Sequence, residues 1–350
     1  MGNVERQPPS AGPAILGKYR DEVEAALVRA LSPENSQLLD IMRFHLGWVD
    51  EDGHTAPSSQ GKGMRSSLCM FACEAIGGCP EQALPVAAAV ELIHNFSLIH
   101  DDIQDGDTER RHRPTVWARW GKPQALHAGN VMRVLADLAP QHHLNHPIAP
   151  ETGARCSLVL TSAYLEMIEG QYLDLDFEGR TDVKTSDYLD MISRKTGALI
   201  RCAMELGAIA GNGDARAVTA MARCGQSLGY AFQVRDDYLG IWGYEEVTGK
   251  AIGNDIRMKK SSLPLVHVME RAGTEERERI QSIYAKERVE DEDVAAVMAI
   301  LGELGTQEYV QRLAQEHATR ARQALEGIGL VPGAQEELDE LLSFLIARQY

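Results

Sequence analysis

The sequence predicts an all-α protein, and three observations support this class. Apolar residues recur with helical spacing in stretches such as residues 158–168 and 293–301. Alternating β-branched stretches between turn signals, which would predict strands, are scarce. The 350 residues, 44% of them hydrophobic, can bury a large core, and no Pro-, Gly- or Ser-rich linker marks a boundary. We therefore expect one helical domain over residues 16–350, after a disordered polar tail at residues 1–15.

Composition and charge argue against several classes of function. The net charge of −16 disfavours a nucleic-acid partner, since such binding needs many cationic side chains. The six cysteines form no C-x-x-C pair, so we expect buried free thiols rather than metal ligands. Residues 1–10 are polar and lack the apolar segment of a signal peptide, and no uninterrupted apolar run is long enough for a membrane span. These features predict a cytoplasmic protein.

The most informative motif is an acidic cluster at residues 101–105. Residues 86–100 before it are mostly apolar and contain no Gly or Pro, so a long buried helix should end at Asp101. Asp101 and Asp105 are four residues apart with Asp102 alongside, so on a helix their carboxylates share a face and repel one another. An isolated acidic run is as often a solvated helix face. The apolar context instead favours a site for Mg²⁺ and phosphate oxygens.

A second acidic pair and several arginines complete this pattern. Asp236 and Asp237 lie in another apolar helical stretch, and Gln233, four residues before Asp237, shares its helix face. Residues 110–113, a short loop after the first cluster, contain three arginines. A planar guanidinium binds two phosphate oxygens at once. Together the two clusters predict a site for metal ions and a diphosphate.

Other basic residues are weaker signals when taken alone. Gly61, Lys62 and Arg65 could form a phosphate subsite, but the same motif also fits an exposed basic loop. His94 lies seven residues before Asp101, about two helical turns, and therefore on a similar face. By itself it is more typical of a core histidine.

In their order and spacing, these motifs resemble those of the trans-isoprenyl diphosphate synthases, also called polyprenyl synthetases. The matching positions, from about Gly61 to Pro264, are 61–65, 97–105, 110–115, 170–175, 195–197, 232–237, 249–250, 255 and 260–264. The resemblance implies a bundle of about ten or more helices around a central active-site cavity. It also implies a homodimer, whose apolar face we expect in the Ala-rich and Leu-rich segments on either side of Asp101.

The resemblance implies two diphosphate subsites. In the family, isopentenyl diphosphate is bound by residues matching Gly61, Lys62, Arg65, His94 and Arg111. The allylic diphosphate would be held by three Mg²⁺ ions on Asp101, Asp102, Asp105, Asp236 and Asp237, with added positive charge from Arg110, Lys195, Lys250 and Lys260. Residues matching Lys195, Thr196 and Gln233 lie near the reacting carbons. With Asp101 and Asp102, these three are the expected catalytic residues.

The implied reaction is the ionisation of an allylic diphosphate, attack by isopentenyl diphosphate on the cation, and loss of a proton. Phe96, five residues before Asp101, matches a bulky residue that acts as a floor for the growing chain, and small Ser97 lies beside it. Taken alone, Phe96 is also typical of an ordinary core aromatic. Because the first cluster lacks the two-residue insertion of some farnesyl enzymes, the resemblance favours geranylgeranyl diphosphate as product.

The chain departs from the family pattern at several positions. Gly240 replaces the usual last aspartate of the second cluster, where Asp255 could contribute through water, and His112 replaces a common glycine. Alternative functions are a farnesyl or longer-chain synthase, a class I terpene cyclase and a non-catalytic partner subunit. A cyclase needs no isopentenyl diphosphate site, so the basic residues matching that site favour condensation. The presence of both acidic clusters argues against a non-catalytic subunit.

Overall fold

The computed structural model describes residues 12–31, 36–56, 63–141, 149–243 and 251–347. Within these ranges the protein is helical apart from one short hairpin and an isolated bridge, which confirms the all-α prediction. The first five helices are α1 (Ala14–Lys18), α2 (Arg20–Ala30), α3 (Gln37–His45), α4 (Met64–Ala75) and α5 (Pro80–Asp105). The next six are α6 (Val116–Trp120), α7 (Lys122–Leu138), α8 (Pro150–Phe177), α9 (Thr185–Ile192), α10 (Ala198–Ala210) and α11 (Ala215–Trp242).

The C-terminal helices are α12 (Asn254–Arg257), α13 (Leu263–Arg271), α14 (Thr274–Tyr284), α15 (Asp291–Glu303), α16 (Thr306–Ala324) and α17 (Ala334–Ala347). A 3₁₀ turn, Ala139–Gln141, follows α7, and a π-helix, Ser193–Gly197, joins α9 to α10. Helix α1 begins at Ala14 with Ile15 fully buried, so the predicted tail 1–15 extends two residues too far. The single-domain boundary otherwise stays a prediction.

Helix α5 carries the first acidic cluster. It begins with Pro80, whose missing N–H costs nothing in a first turn, and ends at Gly106, whose φ of 73° is favourable for glycine. The helix continues one turn beyond Asp101, so the cluster is its last turn rather than the segment that follows it. Of the helices described, α5 alone is long and apolar enough to cross a membrane, but 72% of its most apolar window is buried inside the protein.

The core is built around α10, which is buried on almost every side because its residues are apolar all around the helix. It packs against α4, α5, α8 and α11. The Ala-rich part of α5, one of the two segments in which we expected a dimer face, is also buried and so is not exposed for such a contact. Five cysteines are buried free thiols as expected, whereas Cys79 is exposed.

A buried histidine lies in the contact between α16 and α11. The ring of His317 stacks on Tyr230 with 4.4 Å between centroids, and its Nδ1 has no hydrogen-bond partner among the described residues. Burial, with a smaller contribution from the charge of Arg320, lowers the pKa of His317 from 6.5 to about 4. The folded protein therefore holds this ring neutral.

We expect His317 to make the protein less stable as the pH falls from 6.5 to 4. The unfolded chain binds a proton on this histidine in that range and the folded chain does not, so the free energy of unfolding falls by up to about 3 kcal/mol. His317→Phe keeps the stack on Tyr230 and should lose less stability between pH 7 and pH 4.5 than wild type in urea unfolding. The control His54→Phe alters an exposed ring and should follow wild type. Parallel losses in all three proteins would contradict this assignment.

Candidate active site

Two carboxylates of the first cluster, Asp101 and Asp105, lie within electrostatic reach of a partly buried lysine, Lys195. Burial raises the pKa of Asp101 to about 6. The positive charge of Lys195 opposes this rise, and the negative charge of Asp105 adds to it. Burial alone would lower the pKa of Lys195, but the carboxylates of Asp174, Asp101 and Asp105 outweigh it and raise that pKa. Lys195 forms a short ion pair with Asp174, and Lys260 also lies within electrostatic reach of Asp105. The cluster is thus only partly neutralised by cationic side chains.

Asp102 differs from its neighbours because it is only 1% exposed. Its Oδ1 accepts hydrogen bonds from Nε and Nη2 of Arg110, each at 2.7 Å. Its buried Oδ2 has no hydrogen-bond partner in the part of the chain that the structure describes. Burial still raises the pKa of Asp102 despite Arg110. One oxygen is therefore fixed by an arginine, and the side chain as a whole faces the basic residues.

The second cluster contains a similarly buried aspartate, Asp237. Its Oδ2 accepts hydrogen bonds from the hydroxyl of Tyr188 at 2.6 Å and the backbone N–H of Leu263 at 3.1 Å. Its Oδ1 accepts from Nε2 of Gln233 at 3.0 Å. Burial raises the pKa of Asp237 to about 7, although these hydrogen bonds oppose the rise. Asp236 is more exposed and lies within electrostatic reach of Arg65, which brings the second cluster towards the basic residues.

The π-helix positions Lys195 and Thr196. Such one-turn bulges often occur at functional sites because they change the direction of side chains. The hydroxyl of Thr196 donates to Oε1 of Gln233 at 2.7 Å, so Gln233 bridges Thr196 and Asp237. Gly170 of α8 lies against this turn: a Cβ there would be 2.2 Å from the backbone nitrogen of Lys195.

Basic side chains gather on the other side of Asp102. Nη1 of Arg65 donates to Nε2 of His94 at 3.2 Å, and Nε of Arg65 is buried without a partner among the described residues. Burial, aided by Arg65 and Arg111, lowers the pKa of His94 well below its usual value, so the ring is neutral. The guanidinium groups here fit an anion, although Glu91 offsets part of their charge.

The arginine loop is held in an unusual backbone conformation. Strands β1 (Glu109–Arg110) and β2 (Arg113–Pro114) pair antiparallel, and the two residues between them, Arg111 and His112, have φ of 54° and 60°. Two positive φ angles are typical of a type I′ hairpin turn, which favours Asn and Gly. The guanidinium of Arg113 donates to the backbone oxygens of Phe44 and Val49 and so anchors the hairpin. Such strain at non-glycine residues is common where a side chain has a function.

His45 is a member of this basic group that the sequence did not predict. A cavity beside Asp102 is lined by His45, Arg110 and Arg111, among others. Burial and the nearby arginines lower the pKa of His45 to about 3, although a hydrogen bond with Asn95 opposes this shift. The ring is therefore a neutral hydrogen-bonding group beside three guanidinium groups.

The two predicted chain-length residues lie on α5, below the first cluster. Phe96 is 6% exposed, and its ring meets the ring of His100 edge to face at 4.9 Å between centroids. The hydroxyl of Ser97 donates to the backbone oxygen of His94 at 2.8 Å. Both positions are compatible with a lining role, but the contacts alone are also those of a core aromatic and a helical serine.

Gly240 lies directly against Asp255. A Cβ at Gly240 would be 2.1 Å from Oδ2 of Asp255. The Asp255 carboxylate therefore occupies the space that the side chain of an aspartate at position 240 would need. Among the described residues, the cluster whose ligand atoms come closest together is another one: Asp50, Asp52 and His54, all exposed. Asp50 there accepts the backbone N–H groups of Asp52 and His54, which is the ordinary geometry of a turn.

The structure brings most of the predicted residues into three adjoining groups: Asp101, Asp105, Lys195 and Lys260; Thr196, Gln233 and Asp237; and Arg65, His94, Asp102, Arg110 and Arg111. Gly61, Lys62 and Lys250 lie outside the described residues. The contacts of Tyr188, Asp174 and His45 with the site were not predicted from the sequence. Asp174 belonged to a recognised motif, but neither Tyr188 nor His45 had a local signal.

The donor set fits divalent cations with a diphosphate. The first cluster presents two aspartates, Asp101 and Asp105, that are more exposed than Asp102 and have raised pKa values. Divalent cations such as Mg²⁺ relieve the repulsion between neighbouring carboxylates by binding both carboxylate and phosphate oxygens. The arginine group supplies the complementary positive charge. The fold and site are those of an all-α protein that can bind metal ions and diphosphates.

Comparison with known proteins gives the family. The model of the polyprenyl synthetase family matches residues 47–301. Two relatives come from Mycobacterium tuberculosis: a geranylgeranyl diphosphate synthase, 37% identical over 100% of this chain and 96% of its own length, and a (2E,6E)-farnesyl diphosphate synthase, 35% identical over 96% and 93%. The crystal structure of a polyprenyl synthase from Caulobacter crescentus CB15, complexed with calcium and isoprenyl diphosphate, superimposes with a TM-score of 0.80 at 26% identity, covering 98% of this chain and 100% of that one.

The chain belongs to the polyprenyl synthetase family. It is a prenyltransferase of the trans-prenyl diphosphate synthase type, and the family depends on divalent metal ions. Relatives named for farnesyl and for geranylgeranyl products match at similar identity, so the family alone does not fix the product length.

Proposed function

We propose that this protein condenses isopentenyl diphosphate with an allylic diphosphate and makes geranylgeranyl diphosphate. The observation that carries the proposal is the adjacency of two oppositely charged groups, which share the ion pair between Asp102 and Arg110. The acidic group suits a metal-bound allylic diphosphate. The arginine group suits the diphosphate of the second substrate, which a cyclase does not use.

The metal ligands that we propose are Asp101, Asp105 and Asp236, which are more exposed than Asp102 and Asp237. The two buried aspartates would support them: Asp102 by orienting Arg110, and Asp237 through its contacts with Gln233 and neighbours. The family's use of divalent metal and the calcium-bound relative support Mg²⁺ as the cofactor. Three ions per site remains our proposal, as do roles for Gly61, Lys62 and Lys250.

The reaction needs charge stabilisation at both ends of the breaking allylic C–O bond. Mg²⁺ ions would neutralise the charge that develops on the departing diphosphate. Lys195 and Lys260 add positive charge beside the first cluster, and the Thr196 hydroxyl and Gln233 amide place dipoles near the cation. The double bond of isopentenyl diphosphate then attacks the allylic carbon, and the departing diphosphate takes the proton that is lost. Water must be excluded, because it would convert the cation into an alcohol.

The test is product analysis by mass spectrometry, with isopentenyl diphosphate, Mg²⁺ and C5, C10 or C15 allylic primers offered separately. We expect a C20 diphosphate as the end product. A hydrocarbon formed from an allylic diphosphate without isopentenyl diphosphate would instead indicate a cyclase. No turnover with any primer would indicate the non-catalytic subunit, and a C15 end product would replace the geranylgeranyl proposal with the farnesyl alternative.

Phe96→Ala is expected to lengthen the product. Removing a buried ring one turn below Asp101 opens space into which the chain can grow, and each added apolar carbon gains about 0.8 kcal/mol on burial. The distribution should shift from C20 to C25 and longer by mass spectrometry, with primer consumption largely retained. As a control, Phe44→Ala removes another buried ring, which lies beside the arginine hairpin, and should not lengthen the product. An unchanged distribution in folded, active Phe96→Ala would place the floor elsewhere.

We also propose a homodimer that forms through α8. Its exposed apolar side chains, Leu158, Leu165 and Tyr172, recur every seven residues, with Ile168 between them. A repeat of this kind forms a continuous stripe along one helix face. These four side chains are 45–69% exposed, and α7 adds three more exposed apolar residues, Leu126, Val134 and Leu138. Exposed apolar side chains that line one helix face in this way are typical of a protein interface.

Light scattering at micromolar concentration should give about twice the chain mass of 38.5 kDa. Leu165→Arg places a charge in the middle of the stripe and should shift the protein towards monomer. The matched change Val28→Arg affects an exposed valine on α2 and should leave the dimer intact. A monomeric wild-type protein would rule out this interface. The cytoplasmic location stays a prediction from the sequence.

A further inference from the structure

Tyr188 contributes a buried polar contact to the second acidic cluster. Its side chain is on α9, is 3% exposed, and donates its hydroxyl to Oδ2 of Asp237 at 2.6 Å. Asp237 itself is 4% exposed, so water cannot readily replace this donor. Removing a hydrogen bond from a buried carboxylate destabilises the protein more than removing one from an exposed carboxylate, because no water solvates the buried group.

The three donors to Asp237 fix both of its oxygens. Tyr188 and the backbone N–H of Leu263 share Oδ2, and Gln233 holds Oδ1. Leu263 and Gln233 come from α13 and α11, whereas Tyr188 comes from α9, just before the π-helix that carries Lys195 and Thr196. Burial raises the pKa of Tyr188 well above its usual value, so its hydroxyl remains a donor. Tyr188 therefore ties the orientation of Asp237 to the segment that carries two predicted catalytic residues.

We propose that Tyr188 is a positioning residue for divalent-cation binding: its hydroxyl fixes the Asp237 carboxylate and so holds this turn of α11 in the position from which the adjacent Asp236, a proposed metal ligand, binds the cation together with a diphosphate. The inference rests on the proposed function, since it concerns the same site. Partners that orient metal-binding carboxylates commonly change metal affinity by 10- to 100-fold when they are removed.

The experiment measures cation binding without turnover. Mg²⁺ is titrated calorimetrically into protein saturated with inorganic pyrophosphate, and Tyr188→Phe is compared with wild type. Phe keeps the ring and removes only the hydroxyl. We expect the apparent Kd for Mg²⁺ to rise about tenfold.

Tyr19→Phe is a matched control. Tyr19 is also a buried tyrosine, 4% exposed, and its hydroxyl donates to a carboxylate, that of Glu74, in a contact between residues 18–19 and α4. Both variants should lower Tm by a similar amount, but Tyr19→Phe should leave the Kd for Mg²⁺ unchanged. A Kd unchanged in both, or raised equally in both, would overturn the positioning role.

A double-mutant cycle with Asp237→Asn tests whether Tyr188 acts through Asp237. If it does, the double variant should bind Mg²⁺ as weakly as Asp237→Asn alone, whereas additive losses would overturn the proposal. The cycle still tests the proposal if Tyr188→Phe is less stable than wild type, because Mg²⁺ binding is compared between folded proteins at one temperature. Absence of prenyl transfer by wild type would refute the proposed function separately, since the binding titration does not depend on turnover.

Discussion

Asp101→Asn is expected to lower kcat by about 10³-fold while changing the KM for either diphosphate far less. Asn has the shape of Asp but not its charge, so the variant loses a proposed metal ligand with little change in packing. The lost stabilisation falls mainly on the charge that develops as the allylic diphosphate departs, which is why kcat carries the effect. Steady-state kinetics at saturating Mg²⁺ with both substrates varied would measure it.

Asp107→Asn is the control for this prediction. Asp107 lies two residues after α5, is exposed, and is close enough to Asp102 and Asp105 to affect their pKa values. Its substitution removes the same unit of charge from the same neighbourhood but not from the proposed ligand set, so kcat should stay within about threefold. If Asp101→Asn kept more than a tenth of wild-type turnover, the loss would be too small for a metal ligand and our assignment would fail.

The parts of the site that could be predicted from the sequence are those that local spacing determines. Asp101 and Asp105 share a helix face because they are four residues apart, and a helix places them together in any tertiary context. Gln233 and Asp237 follow the same rule, and the structure joins them at 3.0 Å. The all-α class was likewise predictable, because apolar residues repeat with helical spacing along most of the chain.

The contacts that were missed connect distant segments. Tyr188 and Asp237 are 49 residues apart, and no feature of the residues around Tyr188 predicts that α9 packs against α11 at this point. His45 lies beside the arginine group at the point where Arg113 donates to the backbone oxygens of Phe44 and Val49, which are 69 and 64 residues away in sequence. Of the two segments in which a dimer face was expected, the Ala-rich one before Asp101 is buried in α5, since apolar composition alone does not tell a buried helix from one at an interface.

The difference in exposure between neighbouring aspartates also depends on packing between distant segments. Asp101 and Asp102 are adjacent and chemically identical, yet Asp102 is 1% exposed and paired with Arg110. Helical periodicity places consecutive residues about 100° apart, so Asp101 is partly exposed while Asp102 faces the arginine hairpin. The structure thereby shows different exposures for aspartates that the motif alone treats as equivalent, and our proposal assigns the metal to the more exposed ones.

Gly170→Ala is expected to reduce turnover by about 100-fold and to lower the free energy of unfolding by about 2 kcal/mol. A Cβ at this position would lie 2.2 Å from the backbone nitrogen of Lys195 and 2.7 Å from its Cα, so backbone atoms must move. The displaced turn carries Lys195 and Thr196, and a shift of about 1 Å in such groups is enough for a loss of this size. Steady-state kinetics and urea unfolding would measure the two effects.

Gly153→Ala on the same helix separates this close approach from the general effect of alanine. A Cβ there would meet only the backbone oxygen of Pro140, at 3.8 Å, which is ordinary van der Waals contact. Since alanine favours helices over glycine by up to about 1 kcal/mol, Gly153→Ala should be neutral or stabilising and keep wild-type turnover. Wild-type turnover in Gly170→Ala as well would mean that Lys195 and Thr196 do not need the position that the π-helix gives them. A loss confined to Gly170→Ala would instead tie catalysis to the close packing of α8 against that turn.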